Sequence, residues 1–147
     1  MRKLLFILFI GAIVYQCSEG NGVFSGLSSH EFQVDSSNTS ALERTYKNRL
    51  SDVQVSGEGV VIKLLRDDNE GSRHQKFIVR LPSGQTLLIA HNIDVAPRVN
   101  SISTGDKIQF KGEYEWNNKG GVVHWTHHDP AGQHVDGWLK HRGVSYE

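Results

Sequence analysis

Hydrophobic positions along the chain fall into three regimes: an unbroken run, a helical repeat and a repeat of two. Leu4 to Val14 is the run, apolar or small throughout and preceded by Arg2 and Lys3. It is shorter than the ~20 residues a membrane-spanning helix needs, so residues 1–17 are expected to act as a secretory signal. Ser18 to Asn38 lacks sustained periodicity and is rich in Ser, Gly and Asn, the composition of a tether. Ser40-Ala41-Leu42-Glu43 then has the form of a capping box, in which the Ser40 hydroxyl and the Glu43 carboxylate each take a backbone N–H. Leu42, Tyr46 and Leu50 follow at helical spacing, predicting a short amphipathic helix at the edge of a domain spanning 39–147.

From Val53 onward the period is two. Val53 and Val55, then Val60, Ile62 and Leu64, predict a long first strand bent at Gly57 and Gly59. Phe77, Val79 and Leu81 predict a second strand, stopped by Pro82-Ser83-Gly84. Thr86 to His91 is a third, nearly continuous in apolar residues. Ile93 to Pro97 leaves the sheet as a single helical turn, and a fourth strand starts near Gly105-Asp106 and runs through Ile108 and Phe110. Asn117-Asn118-Lys119-Gly120-Gly121 is a hairpin signal leading into a fifth strand over Val122 to His128. The pattern predicts an all-β fold, a small five-stranded antiparallel OB-like barrel with a short N-terminal helix. A small β-sandwich is the alternative; the bent first strand and the gap between strands three and four favour the barrel.

Composition narrows the setting. Cys17 is the only cysteine, so no internal disulfide forms and the core alone must hold the domain. Its place just after the apolar run resembles the lipid-bearing cysteine of a bacterial lipoprotein. Tyr15 and Gln16 are larger than the residues usually found there, and cleavage near Gly20 is the alternative. Either way the protein is expected to be exported, meeting a membrane only through a lipid on Cys17. The chain has 16 Lys+Arg and 16 Asp+Glu; losing Met1 to Cys17 removes Arg2 and Lys3 and leaves 14 against 16. A balance so near neutral gives no general pull toward polyanions and argues against simple coating of nucleic acid.

Three longer motifs resemble a known family. They are Arg73-His74-Gln75-Lys76-Phe77, then Gly84 to Asp94 (GQTLLIAHNID), and Gly112-Glu113-Tyr114-Glu115-Trp116 through His124-Trp125-Thr126-His127-His128-Asp129-Pro130. They resemble a bacterial domain-of-unknown-function family of short exported proteins, and the resemblance covers roughly Tyr46 to Tyr146. The resemblance implies an OB-like barrel and no activity, so the chemistry rests on the residues.

Five of the eight histidines lie between His124 and His141, beside Asp129 and around Trp125 and Trp138. Imidazole is the side chain whose proton and lone pair are usable near neutral pH. On an extended strand His124 and His128 would lie about 13 Å apart, too far to share an ion, while His127 and Asp129 would lie about 7 Å apart on one face. His127, Asp129 and His134 are therefore the metal-ligand candidates, suited to a divalent ion such as zinc, with His91 as another donor. His124, His127 and Asp129 are the candidates for general acid–base catalysis. Glu113 and Glu115 share a strand face and form a second carboxylate source, weighed against a plain solvated face. Arg73, Arg80 and Arg98 are candidate clamps for a phosphate, and His74 and His91 are further candidate ligand contacts. Trp116 and Trp138 are candidate stacking platforms, whereas Trp125, sharing a face with Val123, is expected in the core. Two functions follow. One is an exported binding module for a nucleic acid or glycan; the other is a histidine-dependent, nuclease-like phosphodiesterase, with or without a metal. An envelope protein with a purely stabilising histidine network is a third reading, and no protein partner is signposted.

Overall fold

The computed structural model describes residues 36–147. The expected export signal, Cys17 and nearly all of the expected tether lie outside the described residues. Helix α1 covers Ser36–Lys47 and takes up the last residues assigned to that tether. It starts a turn earlier than the capping box implied, so Ser40 sits inside it and Leu50 beyond its end. Leu42 is fully buried and joins the core of the domain. Its Cδ1 and the Phe110 ring would each lie 3.0 Å from a β-carbon at Gly57, so a glycine there lets the helix dock.

Seven strands follow: β1 (Val53–Leu64), β2 (His74–Arg80), β3 (Thr86–Asn92), β4 (Lys107–Glu115), β5 (Val122–His124), β6 (Trp138–His141) and β7 (Val144–Tyr146). The first five close on themselves in the order β1-β2-β3-β5-β4, with β4 pairing back to β1 from Val53↔Tyr114 to Val60↔Lys107. β6 takes the stretch of β4 that β5 leaves free, and β7 pairs with β6. β1 serves both neighbours: its first half pairs with β4 and its second half with β2, where the register shifts between Val61 and Lys63.

The barrel is mixed, which corrects the expected all-antiparallel arrangement. β3 and β5 run parallel, with Leu88 beside Val122 and Ile89 beside Val123. The reason is parity. Strand directions alternate around a ring of antiparallel pairs, and an odd number of strands cannot close without one parallel contact.

The period-two pattern sends Phe77 and Val79, Leu87 and Ile89, Ile108, Phe110 and Tyr114, and Val123 into one core; in β1 it is Val55 and Val61 that join them, while Val60 and Leu64 of the expected Val60-Ile62-Leu64 face are exposed. Three inward positions are polar and each is satisfied, as burial requires. Gln75 exchanges two hydrogen bonds with the backbone of Val99, donating to its carbonyl at 3.0 Å and accepting its N–H at 2.9 Å. The His141 ring lies 2.9 Å from Asp106 Oδ2 and 3.3 Å from Ser101 Oγ. His91 is wholly buried, with Nδ1 2.9 Å from the Thr126 hydroxyl and Nε2 3.1 Å from the Pro97 carbonyl. Because Nε2 faces a carbonyl it must donate, so Nδ1 accepts from Thr126. After β3 the Ala96 N–H donates to the Asn92 carbonyl at 3.3 Å and closes a single helical turn over residues 93–95, as expected.

Candidate metal centre

The alternation that buries Tyr114 places Glu113 and Glu115 on the outside of β4. The β4–β5 connection fixes what lies opposite them. Asn117 Oδ1 accepts the N–H groups of Lys119 at 2.8 Å and Gly121 at 3.1 Å, holding a compact hairpin that sets Glu113 beside His124 and Glu115 beside Val122. β5 ends at His124, four residues short of the expected His128. Trp125 has φ of 51°, a left-handed backbone that turns the chain out of the strand. Trp125 is consequently half-buried and not part of the core cluster, contrary to its expected place beside Val123.

The chain then loops from 125 to 137 and returns against β4. Gly112 allows the approach: a β-carbon there would collide with the His124 carbonyl and lie 2.9 Å from Thr126 Cγ2. Within the loop the Asp129 carboxylate accepts the N–H groups of Ala131 (3.0 Å), Gln133 (2.6 Å) and His134 (2.8 Å). Those bonds, led by the one from His134, hold its pKa below the ordinary aspartate value. They also aim His134, whose ring stacks on Trp125 with centroids 3.7 Å apart and planes 18° apart. His134 Nδ1 thereby comes 3.7 Å from Glu113 Oε2.

Glu113, Glu115 and His124 each offer a ligand atom within 4.8 Å of the others. His124 Nε2 lies 3.6 Å from Glu113 Oε1, beyond hydrogen-bond length, and it has neither a hydrogen-bond partner nor solvent contact. The His124 side chain as a whole is 32% exposed, so the covering is specific to the atom that faces Glu113. Burial pulls the His124 pKa below 6.5 against the opposing pull of Glu113 and Glu115, favouring the neutral ring whose lone pair can bind a metal. On the far side, Asp52 adds a third carboxyl. Its hydrogen bond with Glu115, and then the Glu115 charge, raise its pKa. Glu115 moves the opposite way, lowered first by Ser51. The two shifts are opposite in direction, so Asp52 gives up its proton less readily than an ordinary aspartate and Glu115 more readily than an ordinary glutamate.

The residues singled out from sequence are distributed unevenly over this geometry. His124 and His134 reach the cluster. His127 is buried with Nδ1 2.7 Å from the His128 carbonyl, its ring 5.4 Å from Trp125. Asp129 turns to the loop's own backbone, and His91 is enclosed in the barrel. Arg73 pairs with Asp94 at 2.6 Å and His74 bonds the Ser72 carbonyl at 2.7 Å, both at the start of β2, while Arg80 is exposed at its other end. Trp116 packs against the core with Arg49 5.3 Å from its ring centroid, and Trp138 carries Lys140 at 4.5 Å. Among the described residues, the one group of three or more potential ligands this close is Glu113, Glu115 and His124. Asp52 escaped sequence reasoning altogether; no motif marks it, since its proximity depends on β1 pairing with the end of β4.

A comparison with curated proteins finds no match. Residues 24–147, covering the whole domain, match a family described as "Protein of unknown function (DUF3465)". The chain belongs to that DUF3465 family.

Proposed function

We propose that the protein is an exported OB-type barrel carrying a divalent-metal centre that hydrolyses phosphodiesters, in the manner of a nuclease. The strand order, the long bent β1 and the parallel β3–β5 contact support the OB assignment. One observation carries the functional reading: His124 Nε2, covered and without a partner, faces two glutamates. An unsatisfied buried polar atom costs about 1–3 kcal/mol, and an ion shared with Glu113 and Glu115 removes that cost. Imidazole with carboxylates is a donor set for zinc, manganese or iron.

The other residues have complementary parts. When bound, the ion would polarise a phosphoryl oxygen and lower the pKa of a coordinated water. Asp52, whose carboxyl bonds to Glu115, is placed beside the ligands to take up the proton that water would lose. His134, fixed by Trp125 and the Asp129-organised loop, stands at the rim, where it can complete the coordination or protonate a leaving oxygen. Pure binding by aromatic stacking has less support, because Trp116 packs against the core and carries Arg49 over its ring, and Trp125 is covered by His134.

The test is calorimetric titration with Zn2+ and Mn2+, followed by incubation of the metal-loaded protein with labelled single- and double-stranded DNA and RNA. Binding of one ion equivalent, lost in His124→Ala and weakened at least tenfold in Glu113→Gln, is expected, with cleavage abolished in both. Binding without cleavage of any substrate would leave a metal-stabilised binding module. An ion affinity equal in wild type and His124→Ala would overturn the centre itself.

A further inference from the structure

The outer face of the β4–β6 pair is a second surface with chemistry of its own. The alternation that buries Ile108 and Phe110 leaves Lys107, Gln109 and Lys111 outside, in line with Glu113 and Glu115. β6 takes over the edge of β4 below β5, with Leu139 turned in and Trp138 and Lys140 turned out. The register sets Lys140 beside Gln109 and Trp138 beside Lys111, one step before His124 meets Glu113. Successive steps are two residues, or about 7 Å, apart. The face therefore reads Lys107, then Gln109 with Lys140, then Lys111 with Trp138, and then the metal cluster.

Charge on this face is positive although the chain as a whole is neutral. Lys107, Gln109, Lys140 and Arg142 line one depression together with Glu58. Glu58 accepts from Gln109 at 3.1 Å and lies 3.9 Å from the Lys107 ammonium, whose side chain is 76% exposed. Arg142 is committed to Asp106 at 3.0 Å. Among the described residues, Lys111 and Lys140 make no ion pair. Lys140 lies over the Trp138 ring, which steadies a cation and an aromatic side by side.

We propose that this face is a phosphate track that leads one nucleic acid strand to the Glu113–His124 cluster, a proposal that rests on reading the cluster as a phosphodiesterase centre. Lysines contact phosphates as point charges, and Lys107, Lys140 and Lys111 occupy successive registers about 7 Å apart, a spacing that an extended single strand can match phosphate by phosphate. The track is a single row, and Trp138 can stack only on a base that is unpaired and turned toward it. The ligand is thus single-stranded, and it lies across β4 and β6 and not across β2 and β3, where Arg73 and Arg80 stand far apart.

The experiment measures binding of a fluorescent oligothymidylate by anisotropy, in chelator so that nothing is cleaved, over a range of salt concentrations. Three phosphate contacts give a slope of log affinity against log salt of about −2, and each of Lys107→Ala, Lys111→Ala and Lys140→Ala should flatten it by about 0.7. Lys→Arg at the same sites should restore it. A triple alanine variant with the wild-type slope would overturn the track, as would arginine variants as impaired as the alanines. Hydrolysis of bis(p-nitrophenyl) phosphate by the manganese-loaded wild-type protein is measured in parallel. Cleavage with lysine-independent oligonucleotide binding removes the track and spares the centre. Lysine-dependent binding with an inert small diester removes the hydrolytic reading and spares the track.

Discussion

His91 is an imidazole that folding keeps neutral. Burial lowers its pKa from 6.5 to about 4, against the pull of its bonds to Pro97 and Thr126. The unfolded chain therefore takes up a proton at a pH where the folded chain does not. Stability from this residue is complete above pH 6.5 and drains away as pH falls toward 4, by roughly 3 kcal/mol over the interval. Urea midpoints across that range should fall more steeply for wild type than for His91→Gln; parallel curves would refute the assignment. The sequence marks His91 as a histidine inside an apolar strand, and its inward direction follows from the alternation. Its two partners are invisible there, because Pro97 and Thr126 reach it from a turn and a loop with no periodicity. Glu113 poses the converse difficulty. Its outward direction is legible, but a solvated glutamate and a metal-ligating one share the same pattern until the strand opposite is known.

At the scale of elements, four of the five barrel strands lie close to where alternation puts them, because each has one face wet and one face dry. β5 departs from its expected extent since Trp125, a residue with no special ease in the left-handed region, leaves the strand there. Only the packing around Gly112 and the loop that follows accounts for the turn. The antiparallel expectation failed for a reason contained in the strand count itself, as a closed ring of five demands a parallel pair. The loop over 125–137 is an element in its own right, organised by Asp129. Asp129→Ala removes the acceptor for three backbone N–H groups at once. Hydrogen exchange at Gln133 and His134 should then rise by at least an order of magnitude while the strand amides of β2 and β3 keep their protection. Ion affinity should fall with it, as His134 loses its aim. Unchanged exchange at those two amides would mean that the stack of His134 on Trp125 orders the loop unaided.

For the whole molecule, the proposed centre would tie the stability of the domain to its ion. An ion that binds the folded chain alone and is present at 100 times its dissociation constant adds about 2.7 kcal/mol to the unfolding free energy. Thermal unfolding should accordingly shift upward with Zn2+ or Mn2+ in wild type, return to its starting point with chelator, and stay put in His124→Ala. A shift that survives His124→Ala would locate the ion elsewhere. The parallel contact of β3 with β5 adds a consequence in time. The barrel's remaining seams, β1 to β4 and β3 to β5, join residues far apart in sequence, and such pairings form late because loop closure comes before any contact repays it. The hairpin that carries Glu113 and His124 is the piece that closes the ring. A half-threaded chain can thus bring Glu113, Glu115 and His124 together within the hairpin alone, and gains Asp52 beside Glu115 only when the seam of β1 with β4 is shut.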